Sequence, residues 1–397
     1  MIKKGVLWLH KWLGLFSGLV VLIVSLTGCV YVFHDDLKVL FYPEKYYVAE
    51  QSPSNEVVKA LPLSTLTAIA QKALPNNEEI TRIDLYPAKN RTWVFRAVKT
   101  NEDALTYAAY FTYNKRVFVD PYTGKVQAVE NSKTEFFQLV LQLHMNLLLG
   151  KKLGHTVVSV STILFLILTV TGLVLWWPKK WKAKTLKKGL AFDFKVKWKR
   201  LNYDLHNILG FYSLLFALLL GFTGLLFSYP SLKELYSNSF NKLDRNESVK
   251  TISFDTVTQQ NVNSLDNALV YTLAKHPSAD MMSVRLRKDE ALHDIQVRLQ
   301  KDRTGSYVWY YFSKEDGQIS KIKNSNQAQT GDWLAGMNYD LHVGNFGGIC
   351  TKILYFLASL ICASLPITGF IIWWNKRKKN KKTKKRYSKQ HLFRSIG

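Results

Sequence analysis

The chain is one apolar pattern written twice. Four stretches, residues 12–33, 157–177, 208–229 and 349–374, are each long enough to cross a bilayer, which takes about 20 apolar residues. Each carries a Thr-Gly pair: Thr27-Gly28, Thr171-Gly172, Thr223-Gly224 and Thr368-Gly369. Polar segments of roughly 100 residues separate the first stretch from the second and the third from the fourth, enough for a small soluble domain in each copy. Histidines fall at matching places. His10 to His144 is 144 − 10 = 134 residues, and His206 to His342 is 342 − 206 = 136. A duplicated order with imidazoles at matching depths predicts paired ligands facing each other across a pseudo-two-fold axis.

The formal net charge is +25, and its placement predicts an orientation. Ten Lys/Arg crowd residues 178–205 against Asp193 and Asp204, and eleven more follow Trp374 with no acid among them. Lys3, Lys4 and Lys11 flank the first stretch. Basic residues gather on the cytoplasmic side of membrane proteins. Both termini and the loop 179–205 are therefore expected in the cytoplasm, with both polar segments outside. The same basic excess could also dock anionic lipid or an acidic soluble donor. Nucleic acid is not an expected partner, because no basic stripe lies on a soluble segment.

Cys29, Cys350 and Cys362 all fall in apolar stretches and form no Cys-x-x-Cys pair. That argues against a disulfide framework, an iron–sulfur site or a cysteine zinc site. Lys3-Lys4, an apolar run and Leu26-Thr27-Gly28-Cys29 have the form of a lipoprotein signal. Thr-Gly recurs in the other three stretches, however, and residues 30–33 continue the apolar run, so an uncleaved first helix is expected.

Each polar segment reads as one helix packed on an antiparallel sheet. In the first, residues 63–74 have helical periodicity. Residues 80–86, 92–98 and 107–113 read as strands, and 117–119 and 125–129 flank the turn Asp120-Pro121-Tyr122-Thr123-Gly124. In the second, 265–274 reads as the helix, and 282–286, 293–299, 307–313 and 318–322 as strands. Neither holds a nucleophile elbow, a zinc-protease motif or a nucleotide-binding glycine loop. The aromatic run 307–312 reads as core, with a ligand groove as the alternative.

His10 lies in Leu9-His10-Lys11-Trp12-Leu13-Gly14 and His206 in Leu205-His206-Asn207-Ile208-Leu209-Gly210. Each precedes the Thr of a Thr-Gly pair by 17 residues (27 − 10 and 223 − 206), which puts both at one depth, the cytoplasmic edge. His144 and His342 precede the second and fourth stretches and belong to the outer edge. Gly150–Gly154 and Gly344–Gly348 are expected to break the helix after each. Neutral imidazole ligates haem iron well, and two on facing helices can sandwich one macrocycle. Gly14, Gly18, Gly28, Gly172, Gly210, Gly224 and Gly369 would let a flat porphyrin or a neighbouring backbone come close. His155 is an alternate for His144, although the other copy has no matching histidine. His34, His276, His293 and His391 have no repeat partners and read as structural or surface residues. Trp176-Trp177 and Trp373-Trp374 read as interfacial belts, and Pro366 as a kink in the last helix.

These elements together resemble the PepSY-associated transmembrane helix family, which includes iron-regulated inner-membrane proteins and siderophore reductases. The resemblance rests on Leu9-His10 to Gly14 and on Leu143-His144 leading to Thr171-Gly172-Leu173-Val174-Leu175-Trp176-Trp177-Pro178. In the second copy it rests on Asp204-Leu205-His206 to Gly210, Asp340-Leu341-His342, and Thr368-Gly369 to Trp374. The soluble segments look like PepSY domains, with Asp120-Pro121-Tyr122-Thr123-Gly124 as the closing turn. The second copy has Lys314-Glu315-Asp316-Gly317 in its place.

The resemblance implies a multi-pass protein of the bacterial inner membrane that holds two b-type haems and reduces ferric siderophores or other ferric chelates in the periplasm. The expected fold class is an α-helical membrane protein, with four transmembrane helices as two parallel pseudo-symmetric repeats and two periplasmic α+β PepSY-like domains. The expected segments are helix 1 with its terminus (1–34), domain 1 (35–140), the outer His segment with helix 2 (141–178), the basic loop (179–205), helix 3 (206–230), domain 2 (231–338), the outer His segment with helix 4 (339–375) and the basic tail (376–397). One haem iron is expected between His10 and His206, and the other between His144 and His342. The electron donor is a quinol or a cytoplasmic reductase. The rival readings are a non-redox membrane protein that binds a peptide or protein, and a metal or haem transporter. The apolar stretches hold no carboxylate for a proton relay, which counts against transport.

Overall fold

The computed structural model describes residues 2–48, 59–178, 180–242, 264–286, 292–315 and 317–394. In chain order, α1 (Ile2–Tyr31) and α2 (Leu63–Lys72) precede strands β1 (Ile80–Leu85), β2 (Trp93–Thr100), β3 (Phe111–Val119) and β4 (Val126–Asn131). Next come α3 (Phe136–Asn146), α4 (Lys151–Trp176), α5 (Trp198–Tyr212), α6 (Leu214–Ser228) and α7 (Pro230–Asn241). The second copy continues with α8 (Ser264–Lys275), β5 (Met281–Arg285), β6 (Leu292–Gln300), β7 (Arg303–Ser313) and β8 (Ile319–Asn324), then α9 (Asn338–Val343) and α10 (Gly348–Arg394).

Among the described residues, three helical segments are long and apolar enough to cross a membrane: α1, α4 and Asn345–Lys378, which includes the first part of α10. α5 and α6 together form a fourth candidate, bent by 63° between them. The sequence predicts one helix over 208–229, and the structure breaks it at Ser213. The Ser213 hydroxyl bonds the Gly210 carbonyl at 3.4 Å, and Gly/Ser pairs are a known source of sharp bends. Pro366, expected to kink the last helix, lies inside α10, which continues past it. α1 packs on α10 and α4, α4 packs on α6, and α5 on α10.

The polar segments do not form two separate sheets. All eight strands make one antiparallel sheet in the order β4-β3-β2-β1-β5-β6-β7-β8, which reads the same from either edge. The halves meet where β1 pairs β5, with Ile83 opposite Val284 and Asp84 opposite Ser283. One face is continuous hydrophobic core, from Phe95, Val117 and Ile83 through Met282 and Val284 to Ile295 and Phe312. α2 and α8 cover it together, joined by Ser64, whose amide (2.8 Å) and hydroxyl (2.5 Å) both donate to Asp266. Residues 107–113, expected as a strand, divide into a helical turn over Tyr107–Tyr110 and the start of β3 at Phe111.

The chain breaks after each outer histidine, as expected, though in the first copy by residues other than the glycines. In the first copy Leu147 (φ 54°) and Leu148 (φ 56°) make the left-handed turn. Gly150 serves another end there: a Cβ on it would lie 1.5 Å from the Ala104 carbonyl oxygen. In the second copy Gly344 (φ 77°) makes the turn.

Candidate functional site

The four repeat histidines meet in two pairs. The His10 and His206 rings lie 6.2 Å apart between centroids, with planes at 85°. His144 and His342 lie 6.1 Å apart at 71°. Each pair joins the two copies. The first sits at the basic end of the bundle and the second at the sheet end. His155 lies elsewhere, its ring 6.2 Å from that of Tyr229. His34 is buried with Nδ1 on the Tyr31 carbonyl at 2.7 Å, and His276 Nε2 bonds the Tyr310 hydroxyl at 2.7 Å. His293 lies in β6, and the side chain of His391 is outside the described residues.

The recurring Thr-Gly pairs are the sockets for these rings. Nδ1 of His10 bonds Thr171 Oγ1 (2.9 Å), His206 bonds Thr368 (2.9 Å), His144 bonds Thr27 (3.1 Å) and His342 bonds Thr223 (2.8 Å). Every bond stays within one copy: His10 and Thr171 link α1 to α4, His144 and Thr27 link α3 to α1, His206 and Thr368 link α5 to α10, and His342 and Thr223 link α9 to α6. Each threonine hydroxyl already donates to a carbonyl one turn back, for example Thr171 to Ile167 at 2.8 Å and Thr368 to Ser364 at 2.9 Å. Its oxygen is therefore left to accept. A second acceptor reinforces the choice: the Val24 carbonyl is 2.9 Å from His144 Nδ1, and Leu168, Leu365 and Leu220 carbonyls serve His10, His206 and His342 in the same way. A carbonyl only accepts, so a neutral ring carries its proton on Nδ1 and its lone pair on Nε2.

The glycine of each pair provides the clearance. A Cβ on Gly369 would come within 3.2 Å of His206 Cε1, and on Gly172 within 3.4 Å of His10 Cε1. On Gly28 and Gly224 it would lie 3.5 Å from the same atom of His144 and His342. In the sequence these pairs mark depth and their glycines mark room for close approach, but the histidine that each threonine meets is not visible there. Their recurrence in all four stretches was the signal.

Several elements aim the histidines. Glu135 caps α3 by accepting from the Phe137 (3.0 Å) and Gln138 (2.8 Å) amides, which fixes the helix that carries His144. Asp340, fully buried, accepts from the Thr304 amide (2.9 Å), the Thr304 hydroxyl (3.0 Å) and the Gly305 amide (2.8 Å). It ties α9, and so His342, to β7. Asn202 and Asn338, four residues before His206 and His342, donate to the Thr368 and Thr223 carbonyls at 3.1 and 3.2 Å.

A cavity of about 1250 Å³ surrounds the basic-end pair. Gly14, Gly18, Gly172, Gly210 and Gly369 line its walls with Trp176 and Trp373, and Lys4, Lys11, Lys376 and Arg377 also border it. The two tryptophans thus belong to this site as well as to an interfacial belt.

A metal held between two Nε2 atoms, at about 2 Å from each and with roughly 1.1 Å from nitrogen to ring centre, would set the centroids roughly 6.2 Å apart. Both pairs meet that spacing. Two imidazoles leave an octahedral metal four donors short. Among the described residues no group of three or more His, Cys, Asp or Glu side chains stands ready to hold an ion. A macrocycle that brings four in-plane donors fits such a pair, and small residues beside His10 and His206 leave room for a flat ring.

The model of the PepSY-associated TM region matches residues 7–376. The chain belongs to this family. A search of curated proteins finds no match to it. The match takes in all four histidines, all four Thr-Gly pairs and the whole sheet. The PepSY-associated TM region is thus, in this chain, a set of apolar helices and an eight-stranded antiparallel sheet that together carry two imidazole pairs.

Proposed function

We propose that this protein is a di-haem b electron conduit of the bacterial inner membrane that reduces ferric siderophores or other ferric chelates in the periplasm. The observation that carries the reading is the doubled histidine pair, with every Nδ1 held by a Thr-Gly socket and every Nε2 left as the free ring nitrogen. α1, α4, α5–α6 and α10 are four spans in this reading, with the basic end in the cytoplasm and the sheet, as two joined PepSY-like halves, in the periplasm. Haem iron at each pair supplies one-electron chemistry.

The chain's own residues do the rest. His10 with His206, and His144 with His342, would hold the two haem irons. The threonine sockets hold the rings against rotation and raise the basicity of Nε2 by accepting from Nδ1. Lys4, Lys11, Lys376 and Arg377 can pair with acidic substituents of a macrocycle in the larger cavity. On α1, His10 and the His144 socket at Thr27 are 17 residues apart, about 25 Å along the helix axis, so the two pairs lie toward opposite edges of a hydrocarbon layer about 30 Å thick. The donor is a quinol or a cytoplasmic reductase.

The test is an absorption spectrum of detergent-purified protein, oxidised and then reduced with dithionite, with a haem-to-protein ratio. Two haems per chain are expected, one of them lost in His10→Ala/His206→Ala. The reduced protein should be reoxidised by an added ferric chelate. A colourless preparation would favour a partner-binding role without redox chemistry. A double variant that keeps both haems overturns the basic-end pairing.

A further inference from the structure

Besides a cavity of about 290 Å³ at the sheet end, the protein has the larger one at its basic end, and a loop is fastened to the wall of the latter. Trp176 and Phe211 line that wall, their rings stacked 3.9 Å apart with planes at 16°. Trp176 Nε1 donates to the Gly189 carbonyl at 3.1 Å, and the Tyr212 hydroxyl to the Leu190 carbonyl at 2.9 Å. Gly189 and Leu190 end a short helix, Ala183–Leu190, in the loop between α4 and α5.

The loop carries two apolar sets. Leu186, Leu190, Phe192 and Val196 are half-buried and engaged in its own packing. Trp181, Phe194 and Trp198 remain 58, 75 and 61% exposed. Both tryptophans lie level with the ends of the spans. Trp181 folds back on Trp177, at 5.2 Å between centroids and 78° between planes. Trp177 is 177 − 171 = 6 residues past the Thr171 socket, and Trp198 is 206 − 198 = 8 residues before His206, which are about 9 and 12 Å of helix from the basic-end pair. Residues 178–200 also hold nine lysines and Arg200 against one acid, Asp193. Asp193 is engaged, its Oδ1 accepting from the Lys195 amide at 3.0 Å, while Lys182, Lys187, Lys195 and Lys197 are exposed. We propose that residues 181–200 lie in the head-group layer of the leaflet at the basic end and bind anionic phospholipid, with the lysines on phosphates and Trp181, Phe194 and Trp198 at the acyl boundary.

Each feature selects this occupant. Tryptophan favours the boundary between head groups and acyl chains, where its ring is apolar and its N–H is wet. Each lysine near an anionic surface adds about fivefold in affinity, and a zwitterionic surface would leave that charge without a counterpart. An acidic soluble protein would meet the same charge, but it would have to cover aromatics that already stand level with the spans, where lipid is. Lipid that holds the loop also holds Gly189 and Leu190, and through them Trp176 in the cavity wall. The consequence for the cavity rests on the haem reading above, but the lipid contact does not.

The test uses the full-length protein in nanodiscs of phosphatidylcholine alone, or mixed equally with phosphatidylglycerol. In a Cys350→Ser background, Ala183→Cys, at an exposed position, carries a fluorophore. With phosphatidylglycerol a spin-labelled lipid should quench it, and amide exchange across Ala183–Leu190 should be tenfold or more slower than in phosphatidylcholine. High salt should reverse both effects. Lys182→Gln/Lys187→Gln/Lys195→Gln should abolish the difference between the lipids at an unchanged haem content. Haem transfer to a scavenging apoprotein should be severalfold slower with phosphatidylglycerol, and the triple variant should lose that advantage. Equal exchange in the two lipids, or indifference to the triple variant, overturns the proposal. So does stronger protection by soluble polyglutamate in phosphatidylcholine discs, which would mark a protein-docking face. Lipid-dependent protection in a colourless preparation would retain this surface and reject the haem reading.

Discussion

At the scale of single residues, the socket is a short grammar: histidine on one helix, threonine and glycine on another helix of the same copy. The threonine hydroxyl donates to its own helix and so presents only its lone pairs to the imidazole. Replacing Thr368 by valine keeps the shape and removes that acceptor, leaving His206 Nδ1 with the Leu365 carbonyl alone. Loss of a ligand-orienting partner typically weakens metal retention by about 10–100-fold. Thr368→Val should therefore lose haem to a scavenging apoprotein about tenfold faster or more. Thr368→Ser should restore wild-type retention, and Gly369→Leu should empty the basic-end pair by driving a side chain into His206 Cε1. Equal loss rates for Thr368→Val and wild type would remove the socket's role. The sequence displayed the histidines and the Thr-Gly pairs plainly, yet not their union. His10 and Thr171 are 161 residues apart, and periodicity reports the face a residue takes on its own helix, not the neighbour it meets.

At the scale of elements, the seam between β1 and β5 decides whether the protein has one soluble body or two. Asp84 sits on it, bonded to Arg82 (2.7 Å), Arg96 (3.3 Å) and the Ser283 hydroxyl (3.0 Å) of the other half. Burial alone would raise its pKa. The Arg96 and Arg82 guanidiniums and the Ser283 hydroxyl outweigh that and hold it below the usual carboxylate range. Its contribution is thus complete above the unfolded value of about 3.9 and is lost as pH falls through the lower folded value. Asp84→Asn should destabilise the seam at neutral pH by about 3 kcal/mol, the low end for breaking a buried pair because both guanidiniums keep some water. Hydrogen exchange should then quicken on the order of a hundredfold at the amides of Arg82–Leu85 and Met281–Arg285, and much less in β3 and β7. Uniform exchange across the sheet would mean that the seam carries no special load. The strands themselves were legible from alternation, most within a residue or two. The seam was not, because alternation fixes which face a side chain takes and leaves open which strand lies beside it. Tyr107–Tyr110 misled for a similar reason: aromatics suit strands, but the Tyr110 amide instead donates to the Thr106 carbonyl at 3.0 Å, closing a helical turn.

At the scale of the whole molecule, charge and fold point the same way. The basic residues lie at the end of the bundle away from the sheet, where Lys3 Nζ reaches the Trp177 carbonyl at 2.8 Å and Lys4, Lys11, Lys376 and Arg377 border the larger cavity. A basic end in the cytoplasm places the sheet and the His144–His342 pair together on the far side, where a ferric chelate would arrive. This orientation is open to direct measurement because the native thiols interfere little. Cys29 and Cys362 are buried and Cys350 is exposed, so Cys350→Ser gives a quiet background. In that background Lys89→Cys, in the exposed turn between β1 and β2, should react with a membrane-impermeant maleimide in intact spheroplasts. Lys180→Cys, exposed beyond the end of α4, should react only after the membrane is opened. The reverse pattern would turn the sheet toward the cytoplasm. The chain would then hold its sheet-end histidine pair beside cytoplasmic donors rather than periplasmic iron, and the direction of electron flow proposed for it would have to be reversed.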